Sequence, residues 1–366
     1  MAKPPVKYAI LEAMDAIQTL LSRGVDKIYP SREEVEKVLR GGKKLTLYQG
    51  FDPTGVQMHL GHMIGLRKLA QWQKLGHKVI FLIGDGTGQA GDPSGKTRSR
   101  EKYLTNEQLR QNARDYVMQA SKIVSFEGEN PVEIKYNGDW LNKMTLADVL
   151  EVAGHFTLQQ MIERDLYQER LKNNEPLNLR EFLYPLLQGY DSVAMAVDLE
   201  LGGSDQTFNM LAGRQLVKEY LNKEKYVMTT PLLTDSTGRK IGKTEGNVIG
   251  LNDKPDDLYA KIMALGDDVI VKGFEYLTDI PLTEIGQIEQ AIQNGDNPLT
   301  FKKKLAFAIV EQFHGKEKAE QAQVIFTDVV QGGKQPQAIE EIHLKDEGEF
   351  LNEDLLVSLN LASSKS

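Results

Sequence analysis

The chain has no cysteine, which excludes disulfide cross-links and thiolate metal sites and fits a reducing compartment. It also lacks any apolar run near the roughly 18–20 residues that a membrane-crossing helix needs. The N-terminal stretch MAKPPVKYAILEAMDAIQTLL carries Glu12 and Asp15 among its apolar residues. It therefore reads as an amphipathic helix and not as a secretory signal, and a cytoplasmic location is expected. Basic charge is in deficit: 44 Lys and Arg against 52 Asp and Glu leave a net charge of −8. A chain this acidic has no overall basic footprint for a phosphate backbone, so any nucleic-acid contact must come from a local basic face. No internal repeat is evident.

What is present describes a soluble globular protein. With 366 residues, 40% hydrophobic and 26% charged, the chain is past the size at which a single core stops growing, and two to three domains are expected.

The opening forty residues look helical, with Ser31 and Glu34 spaced as a capping box before VEKVL and Gly41-Gly42 as the stop. KLTLYQGF (44–51) has the β-branched and aromatic content of a buried strand. It leads through Asp52-Pro53-Thr54-Gly55 into HLGHMIGLRKLAQWQKLG, whose apolar spacing is helical. KVIFLIGDG (78–86) is a second apolar strand. Strand, helix, strand at this spacing is a βαβ unit with parallel strands and a right-handed crossover, which places ligands beyond the carboxyl ends of the strands. Residues 106–121 and 146–171 show a helical pattern with dense charge, and YVMTTPLLTD (226–235) is the last strand-like segment. Residues 251–335 are mostly helical. GGKQPQA then reads as a linker, and NEDLLVSLNLA as the start of another amphipathic helix.

Four elements carry chemistry. His59 and His62, two of only six histidines, lie three apart on the first turn of a helix that follows a strand. A satisfied surface pair or a metal pair is compatible with that spacing. Gly61 between them, and the free N–H groups of the helix N-terminus, favour a phosphate site. The loop GDGTGQAGDPSGKTRSR nearly matches a P-loop, but Ala90 stands where glycine is required and Pro93 removes a backbone donor. Lys96 and Arg100 remain candidates for polyphosphate, and Asp92 for a cation or ammonium group. GRKIGKTEGN offers Lys240 and Lys243, either as a solvated loop or as a further clamp on the phosphates. Tyr184, Gln188 and Asp191 fall at i, i+4 and i+7, so they share a face of a helix. This is either a core helix with polar edges or a stripe suited to a small zwitterion with a polar ring substituent.

Taken together these residues resemble the class I aminoacyl-tRNA synthetases, and among them the bacterial-type tyrosyl-tRNA synthetases. HLGH resembles the HIGH signature and KIGKT a variant of KMSKS, with YQGFDPTG before the first and YPLLQGYD and GGSDQ between the two. The resemblance implies an α/β fold, in which a Rossmann-like parallel-sheet catalytic domain spans 1–235 with a helical insertion near 125–180. A mobile KMSKS-like loop at 236–250 would follow, then an α-helical domain on the anticodon side of tRNA (251–335). The last part, 336–366, would be a linker and the beginning of a C-terminal S4-type RNA-binding domain, most of which would be missing.

The resemblance further implies that L-tyrosine is activated with ATP to tyrosyl-adenylate and then transferred to the 3′ end of tRNA(Tyr). Tyr48 and Asp191 would hold the phenolic hydroxyl, and Asp92, Tyr184 and Gln188 the ammonium group. Gly50, Asp52, Gly61, Gly203, Asp205 and Gln206 would line the adenylate and the amino-acid pocket. Thr54, His59, His62, Lys96, Arg100, Lys240 and Lys243 would surround the triphosphate. Mg²⁺ would arrive with ATP as the substrate complex, no protein-bound metal is expected, and the protein would be a homodimer.

The sequence departs from the family pattern in places. KIGKT lacks the methionine and first serine of KMSKS, Gln49 stands where a smaller residue is common, and Thr207 follows GGSDQ where many members have tryptophan. Lys302-Lys303-Lys304 either contacts RNA or forms a solvated face. Rival readings are a tryptophan-specific enzyme, against which Tyr48 and Asp191 count, a non-catalytic RNA-binding relative, and a P-loop ATPase.

Overall fold

The structure is a computed structural model, and it describes residues 15–55, 57–94, 103–241 and 248–332. Lys96, Arg100, Lys243 and the 336–366 tail lie outside the described residues, as do the first fourteen positions. By internal contacts the chain divides into a unit of residues 1–326 and a second of residues 327–366. The sheet and the helices packed on it belong to the first.

Six strands make one sheet: β1 (Lys27–Tyr29), β2 (Thr46–Phe51), β3 (Lys78–Ile83), β4 (Glu133–Tyr136), β5 (Leu199–Gly203) and β6 (Tyr226–Thr230). Their order is β1-β6-β5-β2-β3-β4. Five strands run parallel, with Tyr48 of β2 beside Ile80 of β3 and Glu200 of β5. The expected Rossmann-like arrangement is therefore present, with one addition. β1 pairs antiparallel with β6 inside a stretch whose sequence reads as helical. The reason is backbone satisfaction: Asp26 N donates to Thr229 O (2.8 Å) and Lys27 N to Thr229 Oγ1 (2.9 Å). The helices on either side, Ala16–Ser22 and Arg32–Arg40, are present, and Ser31 Oγ caps the second by accepting from Glu34 N (3.3 Å).

The strand order reverses at β2, which has β3 on one side and β5 on the other. The crevice between β2 and β5 is thus the topological switch point, where ligands of open α/β sheets bind. The helix Leu60–Lys74 follows β2 and is buried on nearly all sides, with Trp72 and Leu66 fully enclosed. One apolar core joins the sheet (Leu47, Phe81, Met228) to this helix and to Tyr259, Phe274 and Ile309 of the C-terminal helices. The N-terminus of the helix, with its two histidines, therefore rests on a packed support. Arg67 Nη1 adds a bond to Gln312 Oε1 (2.7 Å), and Lys68 Nζ one to Leu20 O (2.8 Å).

Candidate active site

A cavity of about 490 Å³ opens at the carboxyl ends of β2, β3 and β5. Its deep end is polar and interlocked. Asp191, on the helix Leu179–Ala194, is fully enclosed and accepts from Asn137 Nδ2 (3.0 Å) and Trp140 Nε1 (2.8 Å). Burial pushes its carboxyl group well above the usual carboxylate range, against those two hydrogen bonds. Tyr48, from β2, meets Ser192 Oγ at 2.9 Å, and burial together with nearby Glu200 and Asp191 raises its phenol. Tyr184 donates to Asp52 Oδ2 (2.9 Å), and Thr87 Oγ1 donates to Asp52 Oδ1 (2.7 Å). Asn137 Nδ2 also reaches Thr87 Oγ1 (2.9 Å), which ties the Asp191 cluster to the Asp52 cluster.

A second branch runs along the opposite wall. Gln206 Nε2 donates to Asp92 Oδ2 (2.8 Å) while Asn209 Nδ2 donates to both Gln206 Oε1 (2.9 Å) and Gln188 Oε1 (3.0 Å). With their nitrogens committed, Gln188 and Gln206 present oxygens. Along with Asp92 they make an acceptor-rich wall suited to an ammonium group.

The outer end is built differently. His59 is the N-cap of the helix Leu60–Lys74, its Nδ1 accepting from Gly61 N (3.1 Å), and His62 Nδ1 accepts from His59 N (3.0 Å). The rings stack with centroids 3.8 Å apart. Since each Nδ1 accepts, each neutral imidazole carries its proton on Nε2 and is a donor there. Gly61 leaves room for this, since a Cβ at that position would sit 3.0 Å from the His59 ring and press it aside. Thr54, Gly50 and Gly203 line the same opening. Lys240 is paired with Asp205 Oδ2 at 2.8 Å. The chain before the 242–247 stretch is turned by bonds from Thr237 N (2.9 Å) and Arg239 N (3.0 Å) to Asp235 Oδ1. After that stretch, Leu60 N donates to Ile249 O (2.9 Å), so the segment is anchored at the histidine turn.

Two binding chemistries therefore share one cavity: an enclosed polar pocket whose acceptors suit an ammonium group, and an open rim whose histidine donors and Lys240 suit a phosphate. The family described as tRNA synthetases class I (W and Y) matches residues 40–331. The tyrosine–tRNA ligase of Dehalococcoides mccartyi strain 195 is 39% identical over 357 residues, covering 97% of this chain and 89% of that one. The ligase of the same name from Thermotoga maritima is 41% identical over 349 residues, with 95% and 85% covered. Among solved structures, a C-terminally truncated mitochondrial tyrosyl-tRNA synthetase from Aspergillus nidulans superposes with a TM-score of 0.71 at 26% identity, covering 84% of this chain and 92% of that one. The chain belongs to the class I tRNA synthetases of the tryptophan and tyrosine branch.

For a class I synthetase of this branch, the fold brings together most of the residues singled out by sequence. Tyr48, Gly50, Asp52, Thr54, His59, Gly61, His62, Asp92, Tyr184, Gln188, Asp191, Gly203, Asp205, Gln206 and Lys240 all line the one cavity. Gln49 lines it too, its side chain filling the space that a Cβ at Gly65 would need. Thr207 opens a helix, its Oγ1 bonded to Ser204 O (2.6 Å).

Sequence reading missed the side chains that hold this synthetase pocket in place. Asn137 and Trp140 fix Asp191, Thr87 bridges two carboxylates, and Asn209 orients two glutamines. Their only signal was position: Asn137 ends a strand at the cavity edge, and Asn209 follows GGSDQ by three residues.

Proposed function

We propose that the chain is a tyrosine–tRNA ligase, which activates L-tyrosine with ATP and esterifies it to tRNA(Tyr). The single observation that carries the reading is that Tyr48 and Asp191, both enclosed, line the same cavity as the histidine pair and Lys240. A phenol satisfies both deep groups. Phenylalanine offers neither group a hydroxyl and forgoes one hydrogen bond to each, about 0.5–1.5 kcal/mol apiece, while Tyr48 keeps Ser192 and Asp191 keeps Asn137 and Trp140. Discrimination of about 10⁵ against phenylalanine is already known for tyrosyl-tRNA synthetases and is not a result of this geometry.

In the first step a carboxylate oxygen of tyrosine, ionised at neutral pH, attacks the α-phosphorus of Mg-ATP in line. The bond to the β-phosphate bridging oxygen breaks, and pyrophosphate leaves as the Nε2 donors of His59 and His62 hydrogen-bond to it and Lys240 supplies the opposing charge. Lys96, Arg100 and Lys243 complete that set. No general base is required. Gly50, Asp52, Gly203 and Asp205 receive the adenylate. In the second step a terminal ribose hydroxyl of tRNA attacks the carbonyl carbon of the mixed anhydride, and AMP leaves. Lys240 departs from Asp205 as the 236–250 segment closes on the nucleotide.

The helices of 251–335 lie on the anticodon side in this reading, and the protein acts in the cytoplasm. Among the described residues no helix is long and apolar enough to cross a membrane. A homodimer is supported by apolar side chains in and beside the inserted helices: Leu146 is 75% exposed, Leu158 67% and Leu179 78%. Sedimentation equilibrium at micromolar concentration should give twice the chain mass, and a monomer there would exclude the dimer.

Exchange of labelled pyrophosphate into ATP tests the activity. Exchange should depend on tyrosine and be far weaker with phenylalanine or tryptophan. No exchange with any amino acid, from folded protein with Mg²⁺ present, would overturn the assignment, and hydrolysis of ATP without amino acid would favour an ATPase.

A further inference from the structure

Beneath the tyrosine pocket lies a buried ion pair that none of the proposed catalytic steps uses. Glu200, on the central strand β5, and Lys225, just before β6, are 1% and 0% exposed and in direct contact. Placing two charges out of water is costly unless every donor and acceptor finds a partner, and here the partners lead to the substrate pocket. Lys225 Nζ also donates to Met210 O (3.1 Å). Glu200 Oε1 accepts from Gln188 Nε2 (2.9 Å), and Glu200 Oε2 accepts from Ser192 Oγ (3.3 Å). The fold keeps room for the pair: a Cβ on Gly213 would lie 2.5 Å from Lys225 Nζ and 3.0 Å from Ser192 Oγ.

The hydrogen-bond directions follow by elimination. An ammonium group can only donate, and a carboxylate held beside it can only accept. Gln188 therefore turns its nitrogen to Glu200 and its oxygen toward Asn209 and the ammonium wall. Ser192 gives its single proton to Glu200, so in the contact of 2.9 Å the Tyr48 hydroxyl is the donor and Ser192 the acceptor. Tyr48 then faces the cavity with lone pairs. One carboxylate thus sets the polarity of both ends of the pocket, the phenol end through Ser192 and Tyr48 and the ammonium end through Gln188.

We propose that Glu200 and Lys225 are positioning residues for tyrosine, which fix the direction of the Tyr48 and Gln188 hydrogen bonds and so set both the affinity for the amino acid and its discrimination from phenylalanine. The inference rests on the proposed ligase function and adds to it Glu200, which lines the cavity, and Lys225 and Ser192 behind it, which do not.

The test compares the parent with Lys225→Met, Ser192→Ala and the double variant Glu200→Gln/Lys225→Met. Removing Lys225 alone leaves Glu200 buried without its cation, and a carboxyl group that takes up a proton becomes a donor that competes with Gln188. The expected result for Lys225→Met is a tyrosine KM raised about 30-fold in pyrophosphate exchange, with the ATP KM within about twofold of the parent. The uncharged double variant should regain at least threefold of that loss, since a glutamine amide can again accept from Gln188. Ser192→Ala should lower the tyrosine-to-phenylalanine ratio about fivefold, the loss of one hydrogen bond.

Melting temperature and calorimetric titration with tyrosine are read alongside. A folded Lys225→Met protein whose tyrosine KM and discrimination ratio stay within twofold of the parent would overturn the inference and leave the ligase reading untouched. So would tyrosine and ATP constants that worsen in parallel, since that is the mark of general loosening. If Lys225→Met does not fold, Ser192→Ala with an unchanged ratio decides against the proposal. A parent that neither binds tyrosine nor exchanges would remove both readings together.

Discussion

The two ends of the cavity solve opposite problems. At the deep end, Tyr48, Asp191, Gln188, Tyr184 and Asp52 come from a central strand, the turn beyond it and the facing helix, and each is bonded to another protein group. At the rim, His59 and His62 sit on a helix turn, and Lys240 lies in the segment that follows Asp235, its side chain 39% exposed. Recognition of a neutral hydroxyl requires groups that are dry and fixed before the ligand arrives, because each hydrogen bond made in water gains little. Neutralising a leaving pyrophosphate requires charge that reaches its place as the charge develops. Under the proposed reaction, the difference would make selection and chemistry separable, although they share one cavity.

The largest expected effect comes from the deep end. Asp191→Ala should lower kcat/KM for tyrosine in exchange by about 10³-fold, since the hydrogen bond to the phenol is lost, Trp140 is left without its acceptor and Asn137 keeps only Thr87. If phenylalanine turnover falls by the same factor, Asp191 is structural and the contrast between the two ends fails at its first point. Next comes the rim. His62→Ala should cut kcat about a hundredfold, the scale of one lost donor to a developing charge, with the tyrosine KM within twofold. Lys240→Met should act in the same sense, about tenfold. A raised tyrosine KM in either variant would show that the rim also takes part in selection.

The smallest effect on activity concerns a group outside both regions and calibrates them. His77 is buried, its Nδ1 accepts from Leu45 N (3.1 Å), and burial with Lys44 nearby lowers its pKa to about 4. The unfolded histidine titrates near 6.5, so between the two values the unfolded state binds more protons. The stabilisation is complete above about pH 6.5 and is lost as the pH falls toward 4, roughly 3 kcal/mol in all. His77→Gln should flatten the dependence of melting temperature on pH over that range and leave exchange at pH 7.5 unchanged. An undiminished slope would place the acid sensitivity elsewhere.

How much of this was legible in the sequence follows the same division. The strands β2, β3 and β6 announce themselves by apolar, β-branched runs because both faces of a central parallel strand are buried. β4, with Glu133 and Lys135, is an edge strand and carries charge, and β1 is only three residues long, so neither shows the pattern. β5 hides for a more informative reason: Glu200 interrupts LELGG, and a charge in a central strand argues against a strand until its buried partner Lys225 is seen. The substrate-facing residues were legible because local motifs carry them. Asn137, Ser192 and Lys225 were not, because what they do depends on chain segments brought together only by folding.

The most direct test of the separation is equilibrium binding of tyrosine, without ATP, to the His59→Ala/His62→Ala double variant, measured beside its exchange activity. If selection and chemistry are separate, the dissociation constant stays within about twofold of the parent while exchange falls at least a hundredfold. Tyrosine binding lost together with exchange, in a protein whose melting temperature is unchanged, would show that the two ends form a single unit and would contradict the separation.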